Sequence, residues 1–140
     1  MVDCKKVIWV GLLAGLVMAL VSWVVLMPLF NMIFPDLMAE YESSVFRPWD
    51  DPLMSYVFVH PFIMGMILAY VFQEFKPYPK KKFIGRGLHY GFMFWLLVTV
   101  PGMLMSLSSF AISTDMVVSW SLDALIDFMI AGVIIAKLSK

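Results

Sequence analysis

Charge is scarce in this 140-residue chain: 14% of its residues are Asp, Glu, Lys or Arg, against 62% that are hydrophobic. A soluble domain carries about 25% charged residues, and so little charge cannot coat a water-facing surface. Cysteine is nearly missing. The single Cys4 cannot close an internal disulfide or build a thiolate metal cage, so no redox or zinc framework is expected. It reads as a plain cytosolic thiol, with acylation beside the first apolar run as the alternative. Also absent are a nucleophile constellation, a phosphate loop, the His-Glu-x-x-His zinc spacing and any nucleic-acid signature. The sequence therefore names no catalytic residue, metal or cofactor, and no nucleic-acid partner. An enzyme whose site is assembled across membrane helices stays open.

What is present is long apolar runs. Residues 7–34 carry no formal charge. Lys5 and Lys6 ahead of this run imitate a signal peptide, but signal cores span about 7–15 residues and end at a small-residue cleavage site. This run is longer and lacks such a site, so it is expected to be retained. A helix needs about 20 apolar residues to cross about 30 Å of hydrocarbon. Four stretches qualify, at 7–33, 53–73, 85–106 and 116–136. Lipid offers no partners to backbone polar groups, and no short alternating strands suggest a barrel. The expectation is an all-α polytopic membrane protein: one domain, 1–140, forming a four-helix transmembrane bundle.

The charges predict its orientation. The loop 35–52 holds Asp36, Glu40, Glu42, Asp50 and Asp51 against a single Arg47. Lys5, Lys6, Lys76, Lys80, Lys81, Lys82, Arg86, Lys137 and Lys140 all fall on the other side, four of them in or at the edge of the basic loop 74–83. The positive-inside rule makes that side cytoplasmic, with both termini there and the protein in the cell membrane. Trp49 and Trp120 mark the outer interface, Tyr78 the inner one.

The two hairpins share a pattern. Gly11 and Gly15 in the first span match Gly87 and Gly91 in the third; Gly65 and Ala69 in the second match Gly132 and Ala136 in the fourth. A true duplication would relate the hairpins in parallel, by an axis along the membrane normal. Small residues four apart let helix backbones approach closely in lipid. All four pairs lie in the cytoplasmic half, while Pro28, Pro61 and Pro101 occupy the outer half, where each removes a backbone hydrogen bond. A bundle tight inside and splayed outside follows. The competing reading is that glycine and proline are simply common in membrane helices.

Ionisable groups within the membrane are costly and so are functional candidates. Asp123 and Asp127, four apart, share one helix face. Counted back from Lys137 at about 1.5 Å per residue, Asp127 lies about 15 Å deep and Asp123 about 21 Å. His60 falls near the same layer, about 20 Å deep, with Ser119 and Ser121 above the aspartates. Two carboxylates this close repel when both are ionised, and a proton or cation between them relieves it. The three residues are a candidate proton or cation site. The structural alternative is that Asp127 bonds a neighbouring helix, Asp123 reaches the headgroups, and His60 bonds a carbonyl freed by Pro61. Arg86 and His89, three apart, read as a pair reaching for the inner headgroups. His60 and His89 differ by about 10 Å in depth, too far to bracket one haem.

The loop residues Arg47, Trp49, Asp50 and Asp51 form either a gate over an outer cavity or a rigid turn anchored by Trp49. Thirteen methionines include Met64-x-Met66 and Met103-x-Met105, but residues two apart diverge by about 200° around a helix, so lipid-compatible packing explains them better than Cu(I) binding.

The stretches Phe46-Arg-Pro-Trp-Asp-Asp-Pro52, His60-Pro-Phe62 and Pro101-Gly-Met103 resemble an uncharacterised group of small prokaryotic four-span membrane proteins. The resemblance covers most of the chain and implies the same membrane architecture, but no activity. Function is expected to be proton- or cation-linked transport or solute binding beneath the outer loop, in a homo-oligomer. The alternatives are a non-catalytic accessory subunit, docking into a larger membrane complex by its small-residue faces, and a lipid- or quinone-modifying enzyme.

Overall fold

The computed structural model describes residues 2–76 and 82–139, so Tyr78, Lys80, Lys81 and Lys140 lie outside the described residues. Four helices are long and apolar enough to cross a membrane: α1 (Cys4–Ile33), α3 (Pro52–Phe75), α4 (Phe83–Ser109) and α5 (Thr114–Leu138). The short α2 (Leu37–Tyr41) lies in the first connection. The long helices overrun the apolar stretches at most ends, and polar side chains cap three of their starts. The Asp3 carboxylate accepts from the Lys6 N–H, Asp51 from that of Leu53 and Ser113 from that of Met116, each satisfying a donor that a helix start leaves unpaired. Many large apolar side chains stay exposed, among them Val24, Met32, Tyr56, Leu97, Leu104 and Met105. That surface suits lipid and is far more apolar than a water-facing monomer tolerates.

Two of the three prolines act through a common device. Val21–Leu26 of α1 and Trp95–Thr99 of α4 are wound as π-helix, each ending two residues before a proline, Pro28 or Pro101. A proline ring clashes with the carbonyl four residues back, which belongs here to Val24 or Leu97, inside the widened turn. The extra residue per turn absorbs the clash and rotates the side chains that follow. Pro61 instead sits within the regular helical part of α3.

Packing follows the small residues. All eight named from the sequence are buried. Gly65 lies against the Gly11 carbonyl and the Gly15 backbone, and Gly132 against the Gly87 carbonyl and the Gly91 backbone. A Cβ at Gly11 would come within 2.5 Å of the Met66 Cα, and one at Gly15 within 2.6 Å of the Phe62 Cα. Each hairpin is thus locked by one glycine of its second helix seated between two of its first. Helix α1 packs on α3 through its Cys4–Leu20 part, α4 on α5 chiefly through Phe83–Phe94, and α1 against α5 joins the hairpins. The small-residue faces are thereby occupied inside the chain.

One correction concerns Arg86. It does not reach outward but is half-buried, its Nη2 donating to the Ala136 carbonyl at 2.9 Å with the guanidinium 4.9 Å from the Phe72 ring centroid. The last carbonyls of a helix lack partners and carry partial negative charge, so the C-terminal end of α5 draws the cation in. Nearby, the Tyr90 hydroxyl donates to the Leu68 carbonyl at 2.7 Å and its ring meets Phe72 edge-on. These contacts tie α3 to α4 at the end holding both termini.

The glycine contacts set a test. Gly65→Ala and Gly132→Ala place a methyl group against backbone, so each is expected to destabilise by about 1–3 kcal/mol, as overpacking does. Gly102→Ala meets nothing within 4 Å and is expected to be neutral or to stabilise by up to about 1 kcal/mol through helix propensity. Thermal unfolding in detergent, compared across the three variants, measures this.

Candidate functional site

Above the glycine contacts, α1, α3 and α5 enclose a cavity of about 470 Å³ roofed by the first connection. Its walls are aromatic and thioether side chains; its floor is polar. Ser22, the one hydroxyl in the apolar run of α1, sits in the π-helical turn, a feature that recurs at functional sites. Its Oγ lies 2.9 and 3.1 Å from the two carboxylate oxygens of Asp123 and 2.8 Å from Asp127 Oδ2. A hydroxyl has a single proton to donate, so Ser22 serves one carboxylate at a time. The other contact is satisfied when a carboxyl carries a proton and donates it to the Ser22 oxygen.

Asp127 is 9% exposed, and its Oδ1 is buried with no hydrogen-bond partner among the described residues. An acceptor left in this state costs about 1–3 kcal/mol, more when charged. The carboxylate that sequence depth placed near mid-helix is therefore tied to its neighbour helix on one oxygen and unsatisfied on the other, in the wall of a cavity.

The remaining sequence candidates divide. His60 lines the same cavity from an exposed stretch of α3, residues 55–60, but makes no hydrogen bond or ion pair to either aspartate among the described residues. The bond to a carbonyl freed by Pro61 is not formed either. No three His, Cys, Asp or Glu side chains among the described residues come together as a metal-holding group. Ser119 lines the cavity, its hydroxyl donating to the Met116 carbonyl at 2.8 Å. Ser121 turns away toward α4, where its carbonyl accepts from Trp95 Nε1 at 2.8 Å. Ser22 is the residue that sequence reasoning missed. Its signal was there: a lone hydroxyl in the middle of an apolar helix.

The first connection folds down as a cap. Glu40 of α2 accepts from the Ser113 backbone N–H at 2.6 Å and from its hydroxyl at 2.5 Å, so it grips the start of α5. Trp120 Nε1 donates to the Tyr41 phenolic oxygen at 2.5 Å, and the Tyr41, Phe46 and Trp120 rings pack together. On the opposite flank Trp49 meets Trp23 edge-on, and Trp23 stacks on Phe58 of α3. Arg47 and Trp49 line the cavity; Asp50 and Asp51 do not. Asp51 caps α3 and pairs with Arg47 at 2.9 Å. The Leu53 N–H, then the Arg47 guanidinium, hold its carboxyl below the ordinary 3.8, so this clasp is present at neutral pH and is lost as pH falls through that lowered value.

Comparison with protein-family profiles, curated proteins and solved structures finds no match. Function therefore has to be read from the site.

The cap carries a pH dependence. Burial pushes the Tyr41 phenol above its ordinary 10.0; the Trp120 hydrogen bond partly opposes this, and the Asp123 and Glu40 charges add to it. A raised value means that the neutral phenol's contribution is complete below pH 10 and is lost as pH rises through the raised value. Tryptophan fluorescence is expected to report release of the cap in that alkaline range. In Tyr41→Phe this step is expected to disappear.

Proposed function

We propose that this chain is a multi-pass membrane protein, both termini cytoplasmic, that binds a solute in the capped outer cavity and couples its binding to a proton held by Ser22, Asp123 and Asp127. The observation that carries this reading is the floor of the cavity, where one hydroxyl proton faces two carboxylates and Asp127 Oδ1 faces none. A second proton completes the hydrogen bonding around Ser22, and its loss leaves both carboxylates charged, which favours an incoming positive group. Proton occupancy and solute occupancy are thereby linked, which is the elementary requirement of proton-coupled exchange. The segregation of Lys and Arg to the side opposite the cap supports the orientation. The cavity then lies in the outer half, closed toward the cytoplasm by the glycine-packed half. The cap, held by Glu40–Ser113 and Trp120–Tyr41, is the element whose release would open it outward.

Of the cation and proton alternatives, the donor set favours the proton. Divalent ions seek six or more oxygens; here two carboxylates and a hydroxyl converge on each other. Infrared difference spectroscopy between acid and alkaline buffer is expected to show a protonated carboxyl band that Asp127→Asn or Asp123→Asn removes or shifts, and that Ser22→Ala shifts in frequency. An identical band in the wild type and both aspartate variants would dispose of the shared proton. In proteoliposomes, Asp127→Asn is expected to abolish pH-gradient-driven exchange while the protein stays folded.

A further inference from the structure

The cavity has one acidic floor and two aromatic flanks, and that combination selects a class of ligand. Resting on the solute-binding reading above, we infer that the ligand is a lipophilic organic cation: a quaternary or protonated nitrogen, or an equivalent onium centre, carrying apolar or aromatic substituents. Asp127 supplies the anionic anchor, since it is nine-tenths buried, points at the cavity and has one oxygen unpaired. Trp23 and Trp49 on one flank and Tyr41, Phe46 and Trp120 on the other present ring faces and edges. A cation over such faces is attracted by the ring quadrupole, and most strongly where water is excluded. Met18, Met27, Met54 and Met64 complete the walls, and their flexible thioethers adapt to substituents of different shape. About 470 Å³ is in the range of small-molecule sites, about 300–1,000 Å³.

Other ligand classes fit the same walls poorly. An anion would meet two carboxylates at the floor, and Arg47, the one Lys or Arg among the described residues lining the cavity, is engaged by Asp51 and 60% exposed. A hydrated metal ion would find few oxygens and many apolar atoms. A neutral apolar molecule would leave Asp127 Oδ1 buried and unpaired. An organic cation offsets the carboxylate charge, a protonated nitrogen also donating to Asp127 Oδ1, and on arrival it displaces the proton from the carboxyl pair.

The test compares two ions of one shape and opposite charge. The full chain in nanodiscs is titrated with tetraphenylphosphonium and separately with tetraphenylborate, with empty nanodiscs subtracting partition into lipid. Tryptophan quenching and calorimetry read binding. The expected result is saturable binding of the phosphonium with proton release, weakened at least tenfold in Asp127→Asn and several-fold in Trp49→Ala, and no saturable binding of the borate. Equal binding of both ions by the wild type overturns the inference without any variant. So does a phosphonium affinity unchanged in both Asp127→Asn and Asp123→Asn. Loss of the ligand class is separable from loss of the site: an infrared carboxyl band that depends on Asp127, with neither ion bound, removes the organic cation and leaves the proton site standing.

Discussion

Where two helices touch backbone to backbone, their paths above and below the contact are set. In this protein those contacts are the glycine seats, Gly65 between Gly11 and Gly15, and Gly132 between Gly87 and Gly91. Lipid tails are as apolar as leucine, so membrane helices gain little by hiding apolar surface from lipid and associate instead by close packing. Close packing is available only where side chains are absent. The glycines stand in one half of the chain's helices, so the helices meet there and part in the other half. The cavity is the space they leave.

The parted half needs its own fastening, and polar groups supply it. Ser22 bonds α1 to α5 through Asp123 and Asp127, Trp95 bonds α4 to α5 through Ser121, and Glu40 and Tyr41 bind the cap to α5. Both Ser22 and Trp95 lie in π-helical turns ahead of a proline. The prolines thus act less as simple kinks than as the cause of a local widening that turns a polar side chain toward α5. The same half that lost backbone packing gained hydrogen bonds with chemistry in them. The fastening and the proposed proton site are the same group of atoms: Asp127 bonds a neighbouring helix with one oxygen, and its other oxygen is buried without a partner among the described residues.

The two hairpins show how far the resemblance between halves extends. The glycine seats are equivalent in arrangement, and each first helix carries a π-helical turn before its proline. Function is unequal. Asp127, opposite His60 in the hairpin alignment, is buried and bonded, while His60 is exposed and has no hydrogen bond or ion pair among the described residues. The aromatic cap covers the space beside the first hairpin, and α5 is the helix to which the cap, Ser22 and Trp95 all attach.

The helices, their number and rough limits, the small-residue seams, and the two aspartates as partners on one face are legible along the chain. They are legible there because hydropathy, helical periodicity and the spacing of small residues are properties of a single segment. The packing of helices adds that Ser22 lies within hydrogen-bond reach of both aspartates, that Arg86 turns onto the end of α5, that Asp51 caps α3 and clasps Arg47, and that His60 bonds neither aspartate. Those outcomes depend on the rotation of one helix against another. Depth can be counted along a chain at about 1.5 Å per residue, but rotation also depends on which glycine seats against which backbone, and that seating is not written in the residues of any one helix alone.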